Sequence, residues 1–585
     1  MNILSFAPLR SRARFLPILC ITFVIYLLVG CAAPLPNYQN PTVTMDLSDP
    51  DVIRVGDNYY MTISSFNMMP GLPIYHSKDL VNWRQLTYAL KEHPRAHYTY
   101  KNRSADQLDY DKPRPSKGVW APSFEYHDGH FWIYWGDPDA GVYMVKAKSP
   151  EGPWDEPILV HKAKGWIDPS VVWDTENKKA YMVHAFANSR VGFHSVLDVM
   201  ELSYDGTRVI GDSVRIYDAK QPEVFPSDRE HRIIEGPKFD KFGDWYYILA
   251  PAGGVEAGWQ VALRSKNPMG PYEVKTVGET GDTNINGPHQ GSLLQSHTGE
   301  WWFIHFQSAG TLGRITRLEP ASWRDGWPIT GVDTNGDGIG HPVESYRYPH
   351  KPSSYSLNYS DSFDAPTLGL QWQWPANPKE GWYSMSNGEL VLPALFDVST
   401  PLETVPHVLN QMFPSANFSA TAHMSLDGST NVRGSLITLG RKAFEIGVES
   451  DKDSSNSTVS VKFNGEALAS DTFTAKEFWL RLDTEGEIPT PLVRKKHVSI
   501  DSQSKAEGDQ APHEYLDLDR WENGVIYGRF SYSTDGKTYV PLGEKYILRS
   551  GWWSGVRLGF TSLKLDSNSQ GGVTIKDVEI ELRGD

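Results

Sequence analysis

One local pattern recurs five times in this chain: a short strand, a tight turn, and a second strand ending in clustered aromatic or large apolar side chains. Asp49-Pro50-Asp51-Val52-Ile53-Arg54 runs through Gly56-Asp57 to Tyr59-Tyr60-Met61, and Ala121-Pro122-Ser123-Phe124 runs through Asp128-Gly129 to Phe131-Trp132-Ile133-Tyr134. Asp168-Pro169-Ser170 leads through Asn177 to Tyr181-Met182-Val183, and Gly236-Pro237-Lys238-Phe239 through Gly243-Asp244 to Tyr246-Tyr247-Ile248. His289-Gln290-Gly291-Ser292 leads through Gly299-Glu300 to Trp301-Trp302-Phe303-Ile304. Apolar alternation interrupted by Gly, Asp or Asn predicts hairpins, because these residues tolerate the positive φ of tight turns. The starts lie roughly 50 to 70 residues apart, the length of a four-stranded blade. Five such units predict a five-bladed β-propeller; an ordinary β-sandwich with similar hairpins is the plainer alternative.

Beyond Asp361 the pattern changes to longer alternating strands, as in Val573-Thr574-Ile575-Lys576-Asp577-Val578-Glu579-Ile580. This predicts a C-terminal β-sandwich of jelly-roll type, so the whole chain is read as all-β. The expected organisation is a signal over 1–30, a tether over 31–40, the propeller over 41–348, a linker over 349–360 and the sandwich over 361–585. The charged stretch from Glu485 to Glu514 reads as a long mobile loop.

Arg10, Arg12 and Arg14 precede an apolar run from Phe15 to Gly30, which ends at Leu28-Val29-Gly30-Cys31. The run is short for a spanning helix, and it resembles a bacterial lipoprotein signal with Cys31 as the lipidated residue. A simple secretory signal or an uncleaved anchor is the alternative. The expected location is the bacterial cell envelope, at the outer membrane where there are two. The other cysteine, Cys20, would leave with the signal, so neither a disulfide framework nor a cysteine metal site is expected. The net charge of -15 becomes -18 without the three signal arginines. That balance argues against nucleic acid or polyanions and suits neutral ligands. Twenty Trp and twenty-eight Tyr exceed simple needs; after core packing, stacking on sugars is a natural second use.

Three of the repeats begin beside a carboxylate: Asp49, Asp168 and Glu235. A propeller gathers the first strands of its blades around a central channel, so three acids distant in sequence can share one pocket. Inverting glycoside hydrolysis needs a carboxylate base for water and a protonated carboxyl for the leaving oxygen, about 6.5 to 9.5 Å apart. A third carboxylate helps to keep the acid protonated.

The ordered set resembles glycoside hydrolase family 43. It includes Leu47-Ser48-Asp49-Pro50-Asp51-Val52, Ile74-Tyr75-His76-Ser77-Lys78-Asp79, Gly118-Val119-Trp120-Ala121-Pro122, Ile167-Asp168-Pro169-Ser170, Glu235-Gly236-Pro237 and Leu312-Gly313-Arg314. The region of Trp372-Gln373-Trp374 is similar to the concanavalin-like sandwich of that family's β-xylosidases. The resemblance implies Asp49 as general base, Asp168 as the acid that tunes pKa and orients its partner, and Glu235 as general acid. It implies Arg314 in the sugar subsite, and His289 near the channel centre, in contact with a calcium ion or its water; a buried core histidine is the competing reading. Phe66 and Trp120 are candidate apolar walls of the pocket, with blade packing as the alternative, and Glu256 is a candidate acceptor for a sugar hydroxyl.

Asp333-Thr334-Asn335-Gly336-Asp337-Gly338, with Glu344, has the spacing of a calcium loop, while Gly340 and Pro342 favour a plain exposed turn. Two features depart from the family pattern: Asp51, most simply read as facing solvent, and the charged insertion from Glu92 to Lys117. The expected activity is an inverting exo-glycosidase releasing terminal pentose, as β-xylosidase or α-L-arabinofuranosidase, on oligosaccharide or polysaccharide and with no cofactor required for chemistry. The rivals are a galactan- or arabinan-acting relative, a surface glycan-binding lipoprotein without chemistry, and a retaining fructosidase-like propeller. The last would open on Asn-Asp-Pro-Asn, where this chain has Ser48-Asp49-Pro50-Asp51.

Overall fold

The computed structural model describes residues 34–94, 110–220, 233–256, 258–450, 456–489 and 523–584. Five antiparallel four-stranded sheets follow one another over 51–90, 122–162, 166–218, 238–278 and 291–330, each with its strands in chain order. These are blades 1 to 5 of a propeller. Their first hairpins turn at positive φ, on glycine in four blades and on Lys178 (φ 52°) in the third, where Asn177 instead donates to the Asp174 carboxylate at 2.7 Å.

Packing between blades explains the aromatic pairs. Each junction has its own apolar cluster, such as Phe124, Ile133 and Trp135 against Leu72 and Ile74 between blades 2 and 1, and Phe239, Tyr246 and Ile248 against Val172 and Tyr181 between blades 4 and 3. Alternate side chains of a twisted strand face opposite neighbours, so paired large residues fill two junctions at once.

The ring closes through the N-terminal segment. Asn37–Gln39 pairs with Ser345–Arg347, and Tyr38 Oη and Asn40 Nδ2 donate to the Leu318 carbonyl at 2.7 and 2.8 Å. Thr42 and Leu47 donate their amides to Thr316 and Arg314 at 2.9 Å each. The third strand of blade 5 spans Arg314–Arg324, and its last strand covers only Ala321 to Arg324. The N-terminal segment therefore lies along the half of that edge which the blade leaves uncovered.

The described residues between 384 and 582 form two sheets packed face to face around Leu436, Ile446, Phe478, Leu480, Phe560 and Ile575. This core runs on into the propeller, because Ala309, Leu312 and Ile315 of blade 5 belong to it. Trp374 donates its amide to the Met69 carbonyl at 2.6 Å, and Asn67 donates to the Pro375 carbonyl at 2.7 Å. Asn377 accepts the His93 amide at 2.7 Å and donates its own amide to the Tyr110 carbonyl at 2.8 Å, pinning both ends of the charged insertion.

The middle of that insertion, the signal with Cys31, and most of the charged stretch from Glu485 to Glu514 lie outside the described residues. No helix among the described residues is long and apolar enough to cross a membrane.

Candidate active site

The innermost strand of every blade starts at the same end of the channel, and the three acids stand there. Asp49 lies two residues before its strand, Asp168 sits at a register shift between Ile167 and Ser170, and Glu235 precedes Lys238–Phe242. The residue before proline has positive φ in all three segments: Asp49 (56°), Asp168 (53°) and Gly236 (57°). Asp49 and Asp168 thus occupy equivalent positions, and Glu235 stands one residue earlier, where the other blades carry Ser48 and Ile167. A side chain in that conformation is strained by about 1–2 kcal/mol, and such strain clusters at functional sites.

Each acid has a distinct environment. Both oxygens of Asp49 act as acceptors, from Arg314 Nη1 at 2.7 Å and from Ser64 Oγ at 2.5 Å, and the residue is only 6% exposed. Arg314 also lies over the Phe306 ring, 4.7 Å from its centroid. Asp168 accepts the Gly236 amide at 2.9 Å. Burial, then the charges of Glu235 and Asp49, push the Asp168 carboxyl up to about 8. Burial also raises Glu235, against the lowering effect of Arg314. The Glu235 side chain keeps a third of its surface open to the pocket, so the cause is the poorly solvated carboxyl end rather than complete enclosure. Asp168 and Glu235 therefore titrate as a pair that keeps a proton at neutral pH.

His289 Nε2 lies 3.6 Å from Glu235 Oε1. The imidazole is buried and held neutral by that burial and by Arg314, and neither ring nitrogen has a hydrogen-bond partner. Phe66 and Val119 exchange backbone hydrogen bonds at 2.8 and 2.9 Å, which places Phe66 beside the segment leading into Trp120. Phe66 is buried; Trp120 is half-buried, donates Nε1 to the Ser116 carbonyl at 2.9 Å, and has the Arg190 guanidinium 5.9 Å above its ring. Glu256 accepts the Asn286 amide through its backbone carbonyl at 3.0 Å, in the loop after the second strand of blade 4.

Asp51 corrects the sequence reading: it is buried, not facing solvent. It opens the innermost strand of blade 1, two residues after Asp49, and its side chain meets Lys238 of blade 4 across the channel. It accepts from Lys238 Nζ at 2.9 Å, from the Phe124 amide at 2.8 Å and from Ser292 Oγ. Glu125 and Asp240 complete this lower group. Burial and the charge of Asp51 raise Asp240 to about 7 and Glu125 well above the usual carboxylate range. Sequence reading missed Ser64, Lys238, Glu125 and Asp240, although the two-residue period of the innermost strands marks the last three as channel-facing.

The Asp333 loop lies apart from the channel. Its carboxylate accepts the Gly336 and Gly338 amides at 2.7 and 3.0 Å and Arg324 Nη1 at 3.1 Å, while Glu344 reaches Arg317 at 3.5 Å. Among the described residues, no three His, Cys, Asp or Glu side chains are grouped as a directly bound metal ion would need.

Residues 38–328 match the family model of glycosyl hydrolases family 43, and residues 360–581 match the beta-xylosidase C-terminal concanavalin A-like domain. A protein of Xylanibacter ruminicola assigned as a beta-xylosidase is 32% identical over 527 residues, covering 89% of this chain and 86% of the relative. A non-reducing end alpha-L-arabinofuranosidase of Bacteroides ovatus is 33% identical over 373 residues, covering 60% of this chain and 63% of that one. A family 43 protein of Bacillus licheniformis shares the fold, with a TM-score of 0.72 at 22% identity over 94% of this chain and all of its own. The chain belongs to glycosyl hydrolase family 43 and is a glycosidase.

Proposed function

We propose that the chain is an inverting, exo-acting glycosidase that removes terminal pentose from hemicellulose- or pectin-type oligosaccharides, with β-xylosidase as the first reading and α-L-arabinofuranosidase as the second. The observation that carries it is the contrast between Asp49, whose two oxygens both accept hydrogen bonds, and the Asp168–Glu235 pair, which keeps a proton at neutral pH. In this reading Asp49 holds the attacking water and takes its proton. Glu235, partly open to the pocket, gives its proton to the leaving oxygen as the glycosidic bond breaks. Asp168, anchored on the Gly236 amide, shares the pair's proton with Glu235 and keeps that acid supplied and aligned. Arg314 fixes Asp49 and offers its remaining N–H groups to sugar hydroxyls, and Phe66 and Trp120 wall the ring.

The relatives named beta-xylosidase and alpha-L-arabinofuranosidase support a pentose. The orphaned nitrogens of His289 suit a polar group at the channel centre. A calcium ion there would meet His289 through its own water shell, and would supply a fixed positive charge beneath the sugar. We further propose that Cys31 carries lipid and holds the enzyme at the cell envelope; metabolic labelling with a fatty acid, lost in Cys31→Ala, tests it.

The experiment is hydrolysis of p-nitrophenyl β-D-xylopyranoside and α-L-arabinofuranoside by the chain without its signal, with Glu235→Ala alongside. Release abolished by the substitution, with the product anomer inverted by NMR, is expected. Release by Glu235→Ala at the native rate overturns the assignment of the acid, and a retained anomer overturns the two-carboxylate inverting scheme.

A further inference from the structure

A cavity of about 350 Å³ lies in the seam where blade 1, the linker and the sandwich meet, and shares no lining residue with the acid pocket. Its walls include Tyr75, Gln85 and Tyr88 of blade 1, Tyr355 and Tyr359 of the linker, and Gln411 of the sandwich. We propose that this seam is a second, non-catalytic saccharide-binding site, taking one or two rings of a neutral glycan of the class that the acid pocket cleaves; the choice of pentose rests on the function proposed above.

Four observations support it. The volume stands at the lower end of small-ligand sites, which favour domain junctions. The lining contains no Asp or Glu and one charged side chain, Arg84, already engaged with the Tyr355 ring at 4.5 Å and with His76 Nδ1 at 3.3 Å. That makes the site one for a neutral ligand, and it has no carboxyl pair for hydrolysis. Gln411 is 1% exposed; its Nε2 donates to the Tyr359 carbonyl at 3.0 Å, while its Oε1 has no partner. A buried acceptor left in that state is costly, and a hydroxyl is the donor that answers it. Gln85 Nε2 lies near the Tyr88 hydroxyl, short of a well-formed hydrogen bond, so the wall offers a donor as well. Amides that give and accept, set among tyrosine rings, match sugar hydroxyls and C–H faces.

The geometry also says why the site forms only in the intact chain. The linker segment is held in place from both sides: the Ser353 amide donates to Asp79 Oδ2 at 2.6 Å, and the Ile580 amide donates to Ser360 Oγ at 2.9 Å. Blade 1 supplies one wall and the sandwich the other.

Calorimetric titration of the full chain carrying Glu235→Gln, with xylotriose and separately with xylose, tests the proposal. Two equivalents are expected, and adding Tyr355→Ala or Gln411→Leu weakens one of them by about tenfold or more. In the chain with native Glu235, Tyr355→Ala leaves hydrolysis of the aryl xyloside unchanged. Xylose binding as well as xylotriose identifies a site for the released sugar; preference for xylotriose identifies a site for a chain segment. Gln411 is buried, so Tyr355→Ala on the linker serves if Gln411→Leu fails to fold. A single equivalent with both ligands, or two equivalents untouched by the seam substitutions, overturns the proposal. Hydrolysis by the native chain reports on the pentose reading separately, so a silent seam in an active enzyme overturns the second site alone.

Discussion

Two groups of three acids share one channel, and they differ in what balances them. At the mouth, among the described residues, Arg314 is the cation that pairs directly with the acids Asp49, Asp168 and Glu235, and it bonds Asp49. Deeper along the innermost strands of blades 1, 2 and 4, Asp51, Glu125 and Asp240 surround a buried lysine, and Lys238 also donates to the Pro122 carbonyl at 2.7 Å. A buried charge that is paired and hydrogen-bonded holds structure together, while carboxyls crowded without compensation hold protons. Both groups hold raised carboxyls, so the difference lies beside the paired charge: Asp51 and Lys238 are sealed away together, while Asp49 and Arg314 stand next to Glu235, which keeps a third of its side chain open to the pocket.

The strongest attempt to break this comparison is truncation at the mouth. Asp49→Ala or Glu235→Ala should lower kcat/KM by about 10² to 10⁴-fold with circular dichroism and melting temperature retained, the range ordinary for a lost general acid or base. Near-native turnover in either would erase the distinction. Lys238→Met should act the other way round: it leaves Asp51 buried and unpaired, so melting should fall on the order of 5–10 °C, with a far smaller effect on rate.

Asp168→Asn sharpens the contrast, because it removes one of the crowded titratable carboxyls and keeps an acceptor for Gly236. The rate should fall by about tenfold to a hundredfold while the protein becomes more stable than the native chain. The pH dependence has a definite sign. The folded Asp168 carboxyl titrates near 8, far above its ordinary value, so its favourable contribution is present in acid and is lost as pH rises from about 4 to 8. The stability advantage of Asp168→Asn should therefore widen across that window, and melting curves at several pH values measure it; a constant or shrinking gap contradicts the crowding. The smallest effect belongs to Ser64→Ala, which strips one hydrogen bond from Asp49 and should cost about three- to tenfold in kcat/KM.

Much of the architecture could be read from the chain because propeller blades repeat the same local problem. Each hairpin needs a turn residue and each junction needs large side chains, so aromatic pairs such as Tyr59-Tyr60 and Trp301-Trp302 mark the blades in the sequence itself. The acids were findable for the same reason, since each stands one or two residues before a proline at a strand start. Asp51 was misread because its neighbours were considered along the chain rather than on alternate faces of the strand. The one-residue offset of Glu235 shows only in the backbone, where Gly236 takes the conformation that Asp49 and Asp168 adopt. Ser64 and the seam cavity left no local trace: each depends on partners far along the chain, Asp49 Oδ2 in one case and the meeting of three separate segments in the other.

The closure of the ring also has a mechanical side. The segment from Asn37 to Leu47 lies along the outer edge of blade 5 and runs straight on into Asp49 at the head of blade 1. A pull applied at the N-terminal end enters the fold as shear along a two-stranded ribbon and a row of backbone hydrogen bonds, before it reaches any blade. Shear loads many bonds at once, whereas peeling opens them one by one. Tension on this terminus is therefore shared between the first and last blades, and the catalytic rim is the last thing on the load path to feel it.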